Sequence, residues 1–328
     1  MSQNITIGKQ DFEKIRTENC FYIDKTHFIK EWWERNDDVT LITRPRRFGK
    51  TLNMSMVEQF FSIQYKNRGD LFEGLSVWEE EKFRMLQGTY PVISLSFANV
   101  KEKTFEATRE KICRMVADLY DAYQAFLDFE RLTQNQKNYI LETIEQKEKM
   151  NDVFASMTLH RLSQYLYEQY GKKVIILLDE YDTPMQEAYV NGYWNQLVDF
   201  MCNLFNATFK TNPYLDRAIM TGITRVDLVA PSSLGSKIPR QVSEVGFPTR
   251  LENTSSSSQC QSIFSDLNNP KVVTTTSNEY ATSFGFTEKE VFQALEDFGY
   301  ADKKQQEFRS NWICVKTAAG CFYDWKLA

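Results

Sequence analysis

Apolar residues in this chain fall into two alternating patterns. One is the short unbroken run: "VTLIT" (39–43), "PVISLSF" (91–97), "VIILL" inside "KVIILLDEYD" (173–182), and "RAIMTGI" (217–223). Runs of this length, rich in Val and Ile and bounded by polar residues, have the form of strands buried on both faces. The other pattern has helical spacing. Leu52, Met56, Phe60 and Ile63 share one face of a helix over 51–63. Residues 104–127 read as a long amphipathic helix, 156–171 as a helix closed by Gly171, and 194–210 as a further helix. Strand and helix in alternation predict an α/β fold with a parallel sheet. Beyond residue 226 the periodicity stops. Residues 227–262 are rich in Ser, Pro and Gly and predict an irregular insertion, disordered or a gene-model artefact. Order resumes in 263–328, expected to be a smaller, truncated and mainly helical part, where Thr287 and Glu290 have the spacing of a capping box at the head of a helix over 287–300.

Composition narrows the function classes. The chain has 328 residues, 42% hydrophobic and 25% charged, with a net charge of −5. That is an ordinary globular balance, and bulk charge gives no sign of a polyanion binder. The six cysteines (20, 113, 202, 260, 314, 321) are widely spaced without a CxxC pair, and there are two histidines, His27 and His160. Neither a zinc site nor a disulfide framework is expected. "VIILL" is the longest aliphatic run, too short to cross a bilayer, and the N-terminus lacks the basic-then-apolar build of a signal peptide. A cytoplasmic protein is expected, with no membrane partner.

The chemistry concentrates at two strand ends. In "LITRPRRFGKTLNM" (41–54), strand, loop and helix follow in the order a phosphate-binding loop requires. Backbone N–H groups of such a loop, and the positive end of the following helix, face the phosphates. Gly49 allows close backbone approach, Lys50 stands where the outer phosphates are met, and Thr51 supplies the Mg²⁺-binding hydroxyl. The pattern departs at Arg44, which occupies the place of the first glycine, while Pro45 stiffens the loop. Arg44, Arg46 and Arg47 suit direct phosphate contact, acids of a neighbouring domain, or DNA. Phe48 and Leu52 complete the candidate cofactor-binding stretch from Arg44 to Leu52.

The matching carboxylates end the run "VIILLDEYD": Asp179 as a Mg²⁺ ligand and Glu180 as the group that polarises an attacking water. Asp182 is either a supporting acid or the cap of the turn at Thr183–Pro184. The strand at 91–97 intervenes between these motifs, which fits the P-loop subclass with a strand inserted between the Walker A and Walker B strands. That gives a three-layer sandwich. In "MTGITRV" (220–226), Thr221 or Thr224 suits a polar sensor near the γ-phosphate. Arg225 is either a transition-state cation or a surface ion-pair partner.

The segments "FYIDKT" (21–26), "ITRPRRFGKTLNMSM" (42–56), "YPVISLSF" (90–97), "VIILLDEYDTP" (174–184), "MTGITRV" (220–226) and "NEYATSFGFTEKEV" (278–291) resemble the AAA-ATPase-like family of bacterial proteins. These often carry a C-terminal PD-(D/E)XK nuclease-like domain. The resemblance covers about residues 5–226 and 262–300 and implies an ATP-binding core over 1–226, with Lys50, Thr51, Asp179 and Glu180 in the roles above. Arginine at the first P-loop position is that family's usual form. The family's "YIDKT" segment implies a place near the adenine, with Phe21 or Tyr22 as a stacking ring, against the alternative of a packing residue. Asp24 or Lys25 would pin the segment. The insertion at 227–262 departs from the family. Downstream of 262 no strand-borne Asp precedes a Glu-x-Lys, so nuclease activity is not expected.

Three functions follow as expectations. The first is a Mg-dependent ATP hydrolase acting as a switch or motor for a partner, with oligomerisation open. The second is a nucleic-acid-directed ATPase of a defence or mobile-element system. The third is a non-catalytic ATP-binding or interaction module.

Overall fold

The computed structural model describes residues 4–6, 8–210, 212–223, 270–299, 314–317 and 320–323. Helices α1 (Phe12–Thr17) and α2 (His27–Arg35) precede strand β1 (Val39–Thr43). Then come α3 (Lys50–Phe61), α4 (Glu81–Arg84), β2 (Val92–Ser96), α5 (Phe105–Tyr123), α6 (Gln134–Gln146), α7 (Asp152–Tyr170) and β3 (Val174–Asp179). The chain continues through α8 (Thr183–Asn191), α9 (Trp194–Phe205), β4 (Leu215–Gly222), β5 (Lys271–Val273), β6 (Phe286–Thr287), α10 (Glu288–Asp297), β7 (Cys314–Thr317) and β8 (Gly320–Tyr323).

Five strands form one parallel sheet in the order β2-β3-β4-β1-β5. The strand between β1 and β3 in space is β4. β2 intervenes only in sequence and lies at the edge beside β3. Every residue of β1 and β3 is buried, because helices cover both faces of the sheet. Alternate residues serve opposite layers. Leu41, Ile176, Leu178 and Met220 join a core with α5, α7 and α9. Ile42, Ile175, Leu177 and Ile219 join another with α2 and α3, dense in aromatic rings such as Trp32, Phe60 and Phe61. This is the expected α/β three-layer arrangement.

Helix boundaries follow local capping. Thr104 caps Ala107 N, so α5 begins where expected. Asn151 caps Phe154 N, so α7 starts at Asp152, earlier than its apolar spacing indicated. Gly171, at φ 65°, closes it. The expected helix over 194–210 divides into α9 and a π-helical turn, Asn206–Lys210.

Beyond 262, the described residues carry short strands beside the expected helix. α10 and its capping box are present, Thr287 Oγ1 accepting from Glu290 N and Glu290 capping in return. β5, however, returns to the main sheet beside β1, in register Thr40 with Lys271. A three-residue strand is too short to show a periodicity of two. The described residues also include a three-stranded antiparallel sheet, β6-β8-β7. Residues 227–262 lie outside the described residues. Among the described residues no helix is long and apolar enough to cross a membrane.

Candidate functional site

The parallel sheet directs the ends of β1, β3 and β4 to one edge, where loops and helix starts bring the polar side chains together. β1 ends at Thr43. Residues 44–49 then turn, and α3 begins at Lys50 with Gly49 as its N-cap at φ 75°. This left-handed conformation suits glycine. Arg47 (φ 66°) and Glu180 (φ 51°) also take left-handed backbone without being glycine, a cost of about 1–3 kcal/mol each. Arg47 lies within the turn before α3, and Glu180 is the second acid after β3.

Asp179 is the centre of the site. It is 5% exposed. Its Oδ2 accepts from Thr51 Oγ1 at 2.7 Å, its Oδ1 from Thr221 Oγ1. One carboxylate therefore ties β3 to the first turn of α3 and to the end of β4. Glu180 N donates to Thr221 Oγ1 at 3.3 Å, and Thr183 Oγ1 donates to Glu180 Oε2 at 3.2 Å. Asp182 is fully buried, and its Oδ2 accepts from Ile223 N at 2.9 Å and Gln186 Nε2 at 3.0 Å. It ties the turn between β3 and α8 to the end of β4. A Cβ on Gly222 would lie 2.8 Å from Asp182 Oδ1 and 2.8 Å from Tyr181 Cε1, so this close approach requires glycine.

Lys50 is buried, and its Nζ donates to the carbonyls of Arg44 and Pro45, both at 2.9 Å. Burial pushes its pKa down, against the pull of Glu180, Asp179 and Asp182. The three loop arginines separate. Arg46 and Arg47 are exposed, whereas Arg44 is 2% exposed. The Arg44 guanidinium donates to the carbonyls of Thr43 (3.2 Å), Val273 (3.4 Å) and Glu279 (3.3 Å), and lies 5.5 Å from the Phe284 ring centre. Burial pushes its pKa down to about 10. Here it holds later chain segments. Phe48 is also buried, in the aromatic core, with Leu52 packed against that core.

Tyr22 behaves as a packing residue. Its ring meets Phe12 edge-on at 5.4 Å, and its hydroxyl contacts Met56 Sδ at 3.3 Å and accepts from Lys25 N at 3.2 Å. Asp24 Oδ1 accepts from Thr26 N and Thr26 Oγ1, and Asp24 Oδ2 from Ser76 N at 2.7 Å. Burial works to raise its pKa, but these donors outweigh it and hold the carboxyl below its ordinary value. Lys25 Nζ reaches Glu290, at 2.6 Å and 2.7 Å from its two carboxylate oxygens. Thr224 and Arg225 lie outside the described residues.

Sequence reasoning passed over the contacts of 279–290 with the loop. Their sequence signal was the recurrence of "NEYATSFGFTEKEV" among the segments carrying the family resemblance, which implies a shared structural duty.

A family profile described as "Predicted AAA-ATPase" matches residues 6–230. A relative in Azotobacter chroococcum mcd 1, described as "Uncharacterized protein in vnfD 5'region", is 23% identical over 230 residues. That match covers 70% of this chain and 39% of the relative, so the chain spans about two fifths of the relative's length. No solved structure matches the chain.

Proposed function

Because the chain belongs to the Predicted AAA-ATPase family, we propose that it binds ATP with Mg²⁺ at the loop between β1 and α3 and hydrolyses it, as a switch or motor for a partner. The observation that carries this reading is the Asp179 carboxylate shared by Thr51 and Thr221. It joins the phosphate-loop helix, the acid strand and the intervening strand at one point.

The donor set fits Mg²⁺. Thr51 Oγ1 and Asp179 Oδ2 are hard oxygen donors already 2.7 Å apart, and such an ion takes a few protein oxygens together with substrate phosphates. When bound, the ion neutralises charge on the phosphate oxygens. The chain's own residues do the rest. Lys50 exchanges the carbonyls of Arg44 and Pro45 for phosphate oxygens, a stronger charge-assisted bond. The amides of 46–50, at the start of α3, face the anion. Glu180, steadied by Thr183, orients water for attack. Thr221 reports from β4 on the Asp179 carboxylate. Arg46 and Arg47 are the arginines available for phosphate, and Arg225 the candidate for transition-state charge.

Equilibrium binding of ATP to the wild-type protein, with and without Mg²⁺, tests the reading. Wild type is expected to bind in a Mg-dependent way. Lys50→Ala is expected to weaken binding about ten- to hundredfold, the worth of a hydrogen bond to a charged group. Absence of Mg-dependent ATP binding by wild type overturns it.

A further inference from the structure

The segment 279–290 holds the phosphate loop at three points. Arg44, at the start of the loop, donates to Glu279 O and lies against Phe284. Within the loop, Phe48 O accepts from Gly285 N at 3.0 Å. Just after it, Asn53 Nδ2 donates to Ser283 O at 2.8 Å. The far side of this strap is fixed to α2 and to the segment before it. Lys25, 5% exposed, donates to Thr282 O at 2.7 Å and pairs with Glu290. His27 Nε2 lies 3.2 Å from Thr282 Oγ1 and 3.1 Å from Ser283 Oγ. Phe28 packs edge-on against Tyr280 and Phe284, with ring centres 5.1 Å apart in both cases.

We propose that Arg44 is a positioning residue for the nucleotide site: it fastens the phosphate loop to the strap 279–290, and the seating of the strap and the binding of nucleotide are coupled. This rests on the ATP-binding reading above. Three considerations support it. The loop has a single glycine between 44 and 49, so its shape must be fixed by contacts, and the strap supplies several of them beside those from β4, β5 and Lys50. The Arg44 guanidinium is committed to three carbonyls and a ring in a buried place, so moving it onto phosphate would loosen those contacts. Finally, an incoming anion must draw Lys50 from the Arg44 carbonyl, which belongs to the very residue the strap holds. Two events acting on one residue are linked, and the linkage is reciprocal: loosening the strap changes affinity for nucleotide, and nucleotide changes the hold on the strap. α10 begins at Glu288, within the strap, so a change in seating passes directly to that helix.

Two variants of the full chain test this. Glu290→Gln removes the charge facing Lys25, yet glutamine can still serve the capping box at the head of α10. Arg44→Lys keeps a cation but loses the forked donors that reach several carbonyls at once. The probes are a fluorescent ATP analogue with Mg²⁺ for affinity, and amide hydrogen exchange over 279–290 in wild type with and without ATP and Mg²⁺. Both variants are expected to change affinity at least about fivefold, the lower end of typical site-to-site coupling. Saturating nucleotide is expected to alter exchange over 279–290 in wild type. Folded variants with wild-type affinity overturn the proposal. So does unchanged exchange over 279–290, which decides the matter even where a variant fails to fold. Wild type that binds no ATP overturns the functional reading and this inference together, whereas normal wild-type binding with unaffected variants and strap overturns this inference alone.

Discussion

Two regions meet at β1, and the chain builds them by opposite means. At the strand ends, Thr51, Asp179, Glu180, Thr183 and Thr221 are joined by single hydrogen bonds between polar residues of short motifs that the parallel sheet brings together. Beside them, the strap is joined to α2 by buried rings, to the segment before α2 by a half-buried ion pair, and to the loop by the Glu279 carbonyl that Arg44 holds, between residues far apart in sequence. The first region buries little apolar surface and gathers polar side chains. The second buries much and carries shape. The account therefore expects substitutions in the strap region to act on folding first, and substitutions among the strand-end acids to act on turnover first.

The most forceful way to break this comparison is Phe28→Ala. Phe28 is fully buried against Tyr280 and Phe284, and emptying such a place costs about 3–5 kcal/mol. Urea denaturation measures it, and a loss below about 1 kcal/mol would remove the strap from the structural core. Gly222→Ala probes the seam between the regions. Its added Cβ meets Asp182 and Tyr181, an overpacking expected to cost about 1–3 kcal/mol by thermal or urea unfolding. The side chains it displaces adjoin Glu180, so turnover is expected to fall as well. A neutral alanine there would show that the close approach is dispensable.

The smallest effect concerns pH. Burial, then the neighbouring Lys25, lower the pKa of His27 from its ordinary 6.5, while Asp24, Glu290 and Glu31 oppose this. The unfolded chain then binds a proton near pH 6.5 that the folded chain resists. Stability contributed at this position is full above that pH and declines as pH falls below it. His27→Gln is expected to flatten the decline in a series of melting curves between about pH 5 and 8, and a series unchanged by the substitution contradicts it.

The contrast also explains what the sequence disclosed. The strand-turn-helix at β1 and α3 and the acid-ended strand β3 were legible because such units have fixed offsets: Lys50 and Thr51 follow Gly49 at the helix start, and Asp179 and Glu180 end an apolar run. The four longer strands of the main sheet were legible because burial on both faces leaves unbroken Val and Ile runs. β5 was not, since three residues carry no pattern, and α6 was passed over because few of its residues are buried. The role of Arg44 was beyond local reasoning. Its partners, Val273 and Glu279, lie more than 200 positions away, and nothing near residue 44 names them. Tyr22 shows the same limit: an aromatic before a helix suits either stacking or packing until Phe12 and Met56 are seen beside it.

The central claim is that this strand-end site turns over ATP through Glu180. Phosphate release by wild type and by Glu180→Gln, each measured alongside Mg-dependent ATP binding, tests it most directly. The account predicts binding in both proteins and a loss of turnover in Glu180→Gln of about 10²–10⁴-fold, the worth of a positioned general base. Equal phosphate release from the two proteins, or none from wild type that binds ATP, would contradict it.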